Sequence, residues 1–127
     1  MIRVRQIFNI IYKRLPKTYP KSTLVIHETW KSLIVEYKRD INNEEKEKII
    51  PVAFCNVEDN TVHLCRGFLK NPDHILALYI LHEIGHIYAY DRYGPFDDKW
   101  ADLYTAEKYA DDFARRWVIK LQKENLI

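Results

Sequence analysis

The sequence predicts an α+β fold: an N-terminal helix, a small, mostly antiparallel sheet and two long C-terminal helices. Three observations predict it. Apolar residues recur at helical spacing near the start, four short β-rich runs follow Pro20, and a long apolar stretch lies between Asn71-Pro72-Asp73 and Gly94-Pro95. At 127 residues the chain has the usual size of one domain with one hydrophobic core, spanning 1–127. A composition of 47% hydrophobic and 30% charged residues supplies both a core and a solvated surface, which excludes a disordered chain.

Val4, Ile7, Phe8, Ile11 and Leu15 share one face of an amphipathic helix that Pro16 ends. The segment is neither a signal peptide nor a membrane span, because Asn9 interrupts the apolar run and Tyr12-Lys13-Arg14 follows it. Residues 1–39 carry nine Lys/Arg against two Asp/Glu, whereas residues 40–127 carry eleven against sixteen, so the net +2 divides into +7 and −5. The basic helix is a candidate partner surface, but without interleaved aromatics it is a weak nucleic-acid footprint, and no direct nucleic-acid binding is expected. Thr23 to His27, Leu33 to Tyr37, Ile50 to Val57 and Thr61 to Cys65 read as strands, and Glu58-Asp59-Asn60 as a hairpin turn. The charged run Arg39 to Lys48 reads as a solvated loop. Cys55 and Cys65 are too few for a disulfide framework and too far apart for a CxxC knuckle; they read as buried small hydrophobes in a reducing, cytoplasmic compartment.

Asn71 reads as the N-cap of the next helix, with Pro72 at its first position and Asp73 favoured by the dipole. Ile75, Leu76, Leu78, Ile80, Leu81, Ile84 and Ile87 make that helix apolar on nearly every side, which marks a buried central element. His82, Glu83 and His86 interrupt it too early for a membrane span. A last helix starts near Asp97 or Asp98 and runs through Trp100, Leu103, Ala110, Ala114, Trp117 and Leu121. Trp30, Trp100 and Trp117 read as core or helix-packing residues.

The central helix carries the chemistry. His82-Glu83-Ile84-Gly85-His86 is an HExxH motif, and residues four apart share a helix face. Both imidazoles can therefore bind one zinc ion, while Glu83 can reach a metal-bound water as general base. This composition yields roughly 0.01 such motifs by chance, and two histidines with a glutamate on a buried helix are costly without a common partner. A catalytic zinc takes three protein ligands. Glu107 supplies the third, because it interrupts the apolar stripe of the last helix where a small or apolar residue would otherwise fit. Asp111, one turn on, can accept the free N–H of a zinc-bound histidine. The competing reading of Glu107 is a surface carboxylate paired with Lys108 or Arg115.

These residues resemble the gluzincin metallopeptidases, in which HExxH is followed on a later helix by Glu and, four residues on, by Asp or Asn. Glu107-Lys108-Tyr109-Ala110-Asp111-Asp112-Phe113-Ala114 is similar to the second signature of two families. One is the soluble ImmA/IrrE metallopeptidases, which usually show Asn where this chain has Asp111. The other is the membrane-embedded HtpX/CAAX-protease type, which shows Asp. Without a spanning segment, the ImmA/IrrE family is the closer resemblance, over residues 61–118. It implies a minimal zincin-like domain and a zinc-dependent endopeptidase acting on a protein substrate, with a helix-turn-helix DNA-binding repressor as the expected partner. The competing function is a zinc-binding regulatory module of peptidase ancestry that no longer cleaves. After His86 the chain continues Ile87-Tyr88-Ala89-Tyr90, with neither the glycine nor the third histidine of a metzincin. Tyr79, Tyr90 and Tyr104, or His63 and His74, are open alternatives for a donor to the oxyanion, although both histidines read as surface residues. Thr61 to Cys65, directly upstream of the HExxH helix, is the expected edge strand for an extended substrate. The oligomeric state is left open.

Overall fold

In the computed structural model, residues 2–39, 53–94 and 103–127 are described. The element order is α1 (Ile2–Arg14), β1 (Thr23–His27), α2 (Trp30–Arg39), β2 (Ala53–Asn56), β3 (Thr61–Cys65), a 3-10 turn (Arg66–Lys70), α3 (Asp73–Tyr93) and α4 (Leu103–Lys123). The α+β class is as expected. Val4, Ile7, Phe8, Ile11 and Leu15 are all buried, as the helical spacing required. They meet Val62 and Leu64 of β3 and Leu76, Ala77, Ile80, Leu81, Ile84 and Ile87 of α3 in one core. α3 thus runs through the centre, and Phe113, Ala114, Val118 and Leu121 close the same core from α4. Among the described residues, no helix is long and apolar enough to cross a membrane.

The sheet departs from expectation. Its strand order is β1-β3-β2, with β3 parallel to β1 and antiparallel to β2, so it is mixed rather than mostly antiparallel. β3 is therefore the central strand and not an edge. Both of its sides are already hydrogen-bonded, Val62 opposite Leu24 and Cys55, so it cannot accept a substrate strand. The β2–β3 turn falls where expected: Asn56 Oδ1 accepts the amides of Glu58 and Asp59, and Asn60 turns the chain at a φ of 56°.

A second correction concerns Leu33 to Tyr37, which belongs to helix α2 and not to a strand. Thr29 Oγ1 accepts the amide of Ser32 at 3.1 Å, an N-terminal cap that starts a helix. Leu33 then packs with Phe54 and Cys65 in a small cluster on the opposite face of the sheet from α3. Trp30 stays 40% exposed, with its indole against Gly67, so it is not a core residue. α3 begins one residue later than expected. Pro72 is its N-cap and offers its carbonyl to Ile75 and Leu76, while the Asn71 side chain donates back to the Phe68 carbonyl. Residues 40–48 of the expected charged loop, the expected start of α4 near Asp97 and Asp98, and Trp100 lie outside the described residues.

Candidate metal centre

His82 and His86 lie one turn apart on α3, both half-buried, and both reach Glu107 of α4. The two helices approach closely because Gly85 has no side chain. A Cβ built there would stand 3.1 Å from Ala110 Cα and 3.1 Å from Phe113 Cδ1. Ala106 and Ala110 keep the facing surface of α4 equally small, which brings Glu107 over the histidines.

The result is a converging set of donor atoms. Glu107 Oε2 is 3.0 Å from His82 Nε2, its Oε1 is 3.1 Å from His86 Nε2, and the two Nε2 atoms are 3.2 Å apart. The rings stand nearly perpendicular, at 83°. Among the described residues, these three form the group of His, Cys, Asp and Glu that could hold a metal ion. With one donor atom taken from each residue, the three lie within 4.8 Å of one another; a tetrahedral zinc with bonds of 2.0–2.1 Å holds its ligand atoms about 3.3–3.4 Å apart, a spacing that a turn of the half-exposed Glu107 carboxylate would reach. On the outer side, Asp111 Oδ1 takes His82 Nδ1–H at 2.8 Å, which fixes that ring with Nε2 toward Glu107. Asp112 is exposed, on another face of the helix.

Electrostatics favour positive charge at this point. Burial works against a charged His82, but its hydrogen bond to Glu107 and the charges of Glu83, Glu107 and Asp111 outweigh it and push its pKa up to about 9. Hydrogen bonds from His82 and His86 hold the Glu107 carboxyl well below the usual range, against the effect of partial burial. Glu107 and Asp111 keep about half of their side-chain surface in solvent, at 48% and 53%, so one side of the group is open.

Glu83 sits on the inner side. It is only 8% exposed, and burial raises its pKa, opposed by His86, His82 and a hydrogen bond with Cys55. Cys55 faces α3 because it pairs with Val62, whose side chain lies in the same core. Sequence reasoning placed Cys55 only as a small hydrophobe; its place in an alternating strand that lies against the HExxH helix is the signal that could have linked it to Glu83. Gly85 was equally silent, since the motif leaves that position unspecified.

The remaining candidates differ in exposure and place. Tyr79 is 38% exposed and packs edge-on against Phe68, Tyr90 is half-buried, and the side chain of Tyr104 lies outside the described residues. His74 is exposed. His63 is not a surface residue: it is 6% exposed, stacked on Phe54 at 4.3 Å on the far face of the sheet, away from the metal group. Neither a family model, nor a curated protein, nor a solved structure matches the chain.

Proposed function

We propose that this chain is a zinc-dependent endopeptidase of minimal zincin-like build, with His82, His86 and Glu107 as the metal ligands and Glu83 as general base. The observation that carries the reading is the convergence of His82, His86 and Glu107 from two helices, one Glu107 oxygen 3.0 Å from His82 Nε2, the other 3.1 Å from His86 Nε2 and the two Nε2 atoms 3.2 Å apart, with Asp111 oriented on the outer nitrogen of His82. Two neutral imidazoles and one carboxylate are the donor set of a catalytic rather than a structural zinc, which is closed by four protein ligands. When bound, zinc supplies a Lewis acid that polarises a scissile carbonyl and lowers the pKa of water.

The chain's own residues do the rest. Asp111 accepts the Nδ1–H of His82 and so keeps its Nε2 lone pair directed at the group. Glu83 takes a proton from the attacking water and returns it to the leaving amine. A carboxyl whose pKa burial raises is suited to that transfer, because it is a stronger base than an exposed carboxylate. Cys55 donates to the Glu83 carboxylate from β2 and limits its rotation.

The test is metal content together with cleavage of fluorescein-labelled casein, for wild type, Glu83→Gln and Glu107→Ala. About one zinc per chain is expected in wild type and Glu83→Gln, and less in Glu107→Ala. Cleavage is expected in wild type only, and should stop with a chelator. A wild type that takes up no zinc ends the proposal; a wild type that binds zinc yet cleaves no better than Glu83→Gln makes the chain a zinc-binding module instead.

A further inference from the structure

A second cluster lies on the opposite face of the sheet and shares no residue with the metal group. Ser32 Oγ is 2.9 Å from His27 Nδ1, His27 Nε2 is 2.9 Å from His63 Nδ1, and His63 Nε2 is 2.9 Å from Thr61 Oγ1. The Thr61 hydroxyl donates to Asp59 Oδ1 at 2.6 Å. Five side chains from α2, β1, β3 and the β2–β3 turn thus form one continuous line.

The direction of every bond in that line follows from its last member. An ionised carboxylate only accepts, so the single Thr61 hydrogen is committed to Asp59. Thr61 Oγ1 must then accept from His63 Nε2–H, which leaves Nδ1 of a neutral His63 as an acceptor. His27 Nε2–H fills it, and Nδ1 of a neutral His27 becomes an acceptor in turn. It faces the hydroxyl of Ser32, the exposed end of the line. A serine hydroxyl bonded to an imidazole whose far N–H is oriented by further groups is the arrangement that activates a nucleophile. α2 begins at Trp30, and the amides of Trp30 and Lys31 in its first turn bond to no carbonyl among the described residues. They are donors of the kind an oxyanion needs, one and two residues from Ser32.

We propose that Ser32 is a nucleophile toward carboxylic esters, with His27 as its general base and His63, Thr61 and Asp59 as positioning residues that set the tautomer. Ser32 Oγ bonds to the acyl carbon while its proton passes to His27 Nδ1. The bond to the leaving oxygen then breaks, and His27 returns the proton to the departing alcohol. Water hydrolyses the acyl-serine by the same sequence, releasing the carboxylic acid and restoring Ser32. The site needs no metal.

A fluorophosphonate probe, followed by mapping of the labelled peptide, tests the assignment. Wild type should be labelled on Ser32, with or without a chelator, and Ser32→Ala should not. Asp59→Ala and Thr61→Val are the decisive variants. The first removes the acceptor that commits the Thr61 hydroxyl, and the second removes the oxygen that accepts from His63 Nε2–H, so each unfixes the tautomer that leaves His27 Nδ1 as a base toward Ser32. Labelling should slow by about 10²–10⁴-fold in both, as expected when the group that orients a base is lost, while the thermal melt shows a folded protein. No label on Ser32 in wild type, or equal rates in wild type and both variants, overturns the proposal. Because labelling is read in the presence of a chelator, its failure is distinct from failure of the zinc assignment.

Discussion

Replacing Gly85 by alanine tests how the metal group is assembled. The new methyl would lie 3.1 Å from Ala110 Cα, 3.1 Å from Phe113 Cδ1 and 3.4 Å from the Ala110 carbonyl oxygen. Carbon atoms pack at about 3.5–4.0 Å, so α3 and α4 must separate locally by about 0.4–0.9 Å. The Phe113 ring edge can turn aside, but the Ala110 backbone cannot. Two opposing effects set the stability. Glycine to alanine in a helix interior gains about 1 kcal/mol, while overpacking costs about 1–3 kcal/mol, so the metal-free variant should be less stable by about 0–2 kcal/mol. Metal affinity should suffer more. Glu107 is one turn from Ala110, and ligand distances tolerate only about ±0.2 Å, so the separation pulls the carboxylate away from both imidazoles. A loss of about 10–100-fold in zinc affinity is expected, the range seen when ligand-orienting contacts are removed. Competition against a chromophoric chelator reads the affinity, and thermal melts with and without zinc read the stability. Wild-type zinc affinity in Gly85→Ala would refute the claim that this close approach builds the site.

Two further outcomes follow from the charges. In the metal-free protein His82 has a raised pKa, so its stabilising contribution is fully present below about 6.5 and lost as pH rises through about 9. Glu107 has a depressed pKa, so its contribution is present above the ordinary glutamate value and lost only in strong acid. Thermal melts of the metal-free protein should therefore fall between pH 6.5 and 9, and zinc binding in that range should release a proton and tighten as pH rises, measurable by calorimetry in buffers of different ionisation enthalpy. A zinc affinity independent of pH there would contradict a protonated His82. Asp111→Ala removes the acceptor of His82 Nδ1–H and should weaken zinc by about 10–100-fold, with Asp111→Asn closer to wild type because its carbonyl oxygen still accepts. Equal binding by all three proteins would show that Asp111 does not orient the ring.

The parts of the molecule legible in its sequence are those whose signal is local. α1, α3 and α4 each display their buried residues at helical spacing, and four of the metal-site residues fall at one-turn intervals, His82 and His86 half-buried on α3, Glu107 and Asp111 exposed beside the buried stripe of Ala106, Ala110 and Phe113 rather than within it. A carboxylate beside a buried stripe raises a question of charge that the histidines of another helix answer. α2 escapes such a reading because Leu33 to Tyr37 has β-rich composition, while the decisive contacts are a cap from Thr29 to the amide of Ser32 and a small cluster with Phe54 and Cys65 from two strands. Propensity lost there to capping and tertiary packing.

Strand order carries no comparable local signal. Thr61 to Cys65 has a strand's composition whether it sits at the edge or in the centre, and only its parallel pairing with β1, more than thirty positions away in sequence, makes it central. That one non-local fact changes the chemistry on both faces of the sheet. It removes β3 as a docking strand for substrate, and it sets His63 diagonally beside His27 on one face, since Val25 pairs with His63 and His27 with Cys65. It also leaves Val62 and Leu64 pointing at α3 and carries β2 alongside, so that Cys55 meets Glu83. The ligands of the metal group could thus be read from two helices, whereas the partners of its general base, and the serine–histidine line on the other face, exist only once the strand order is known.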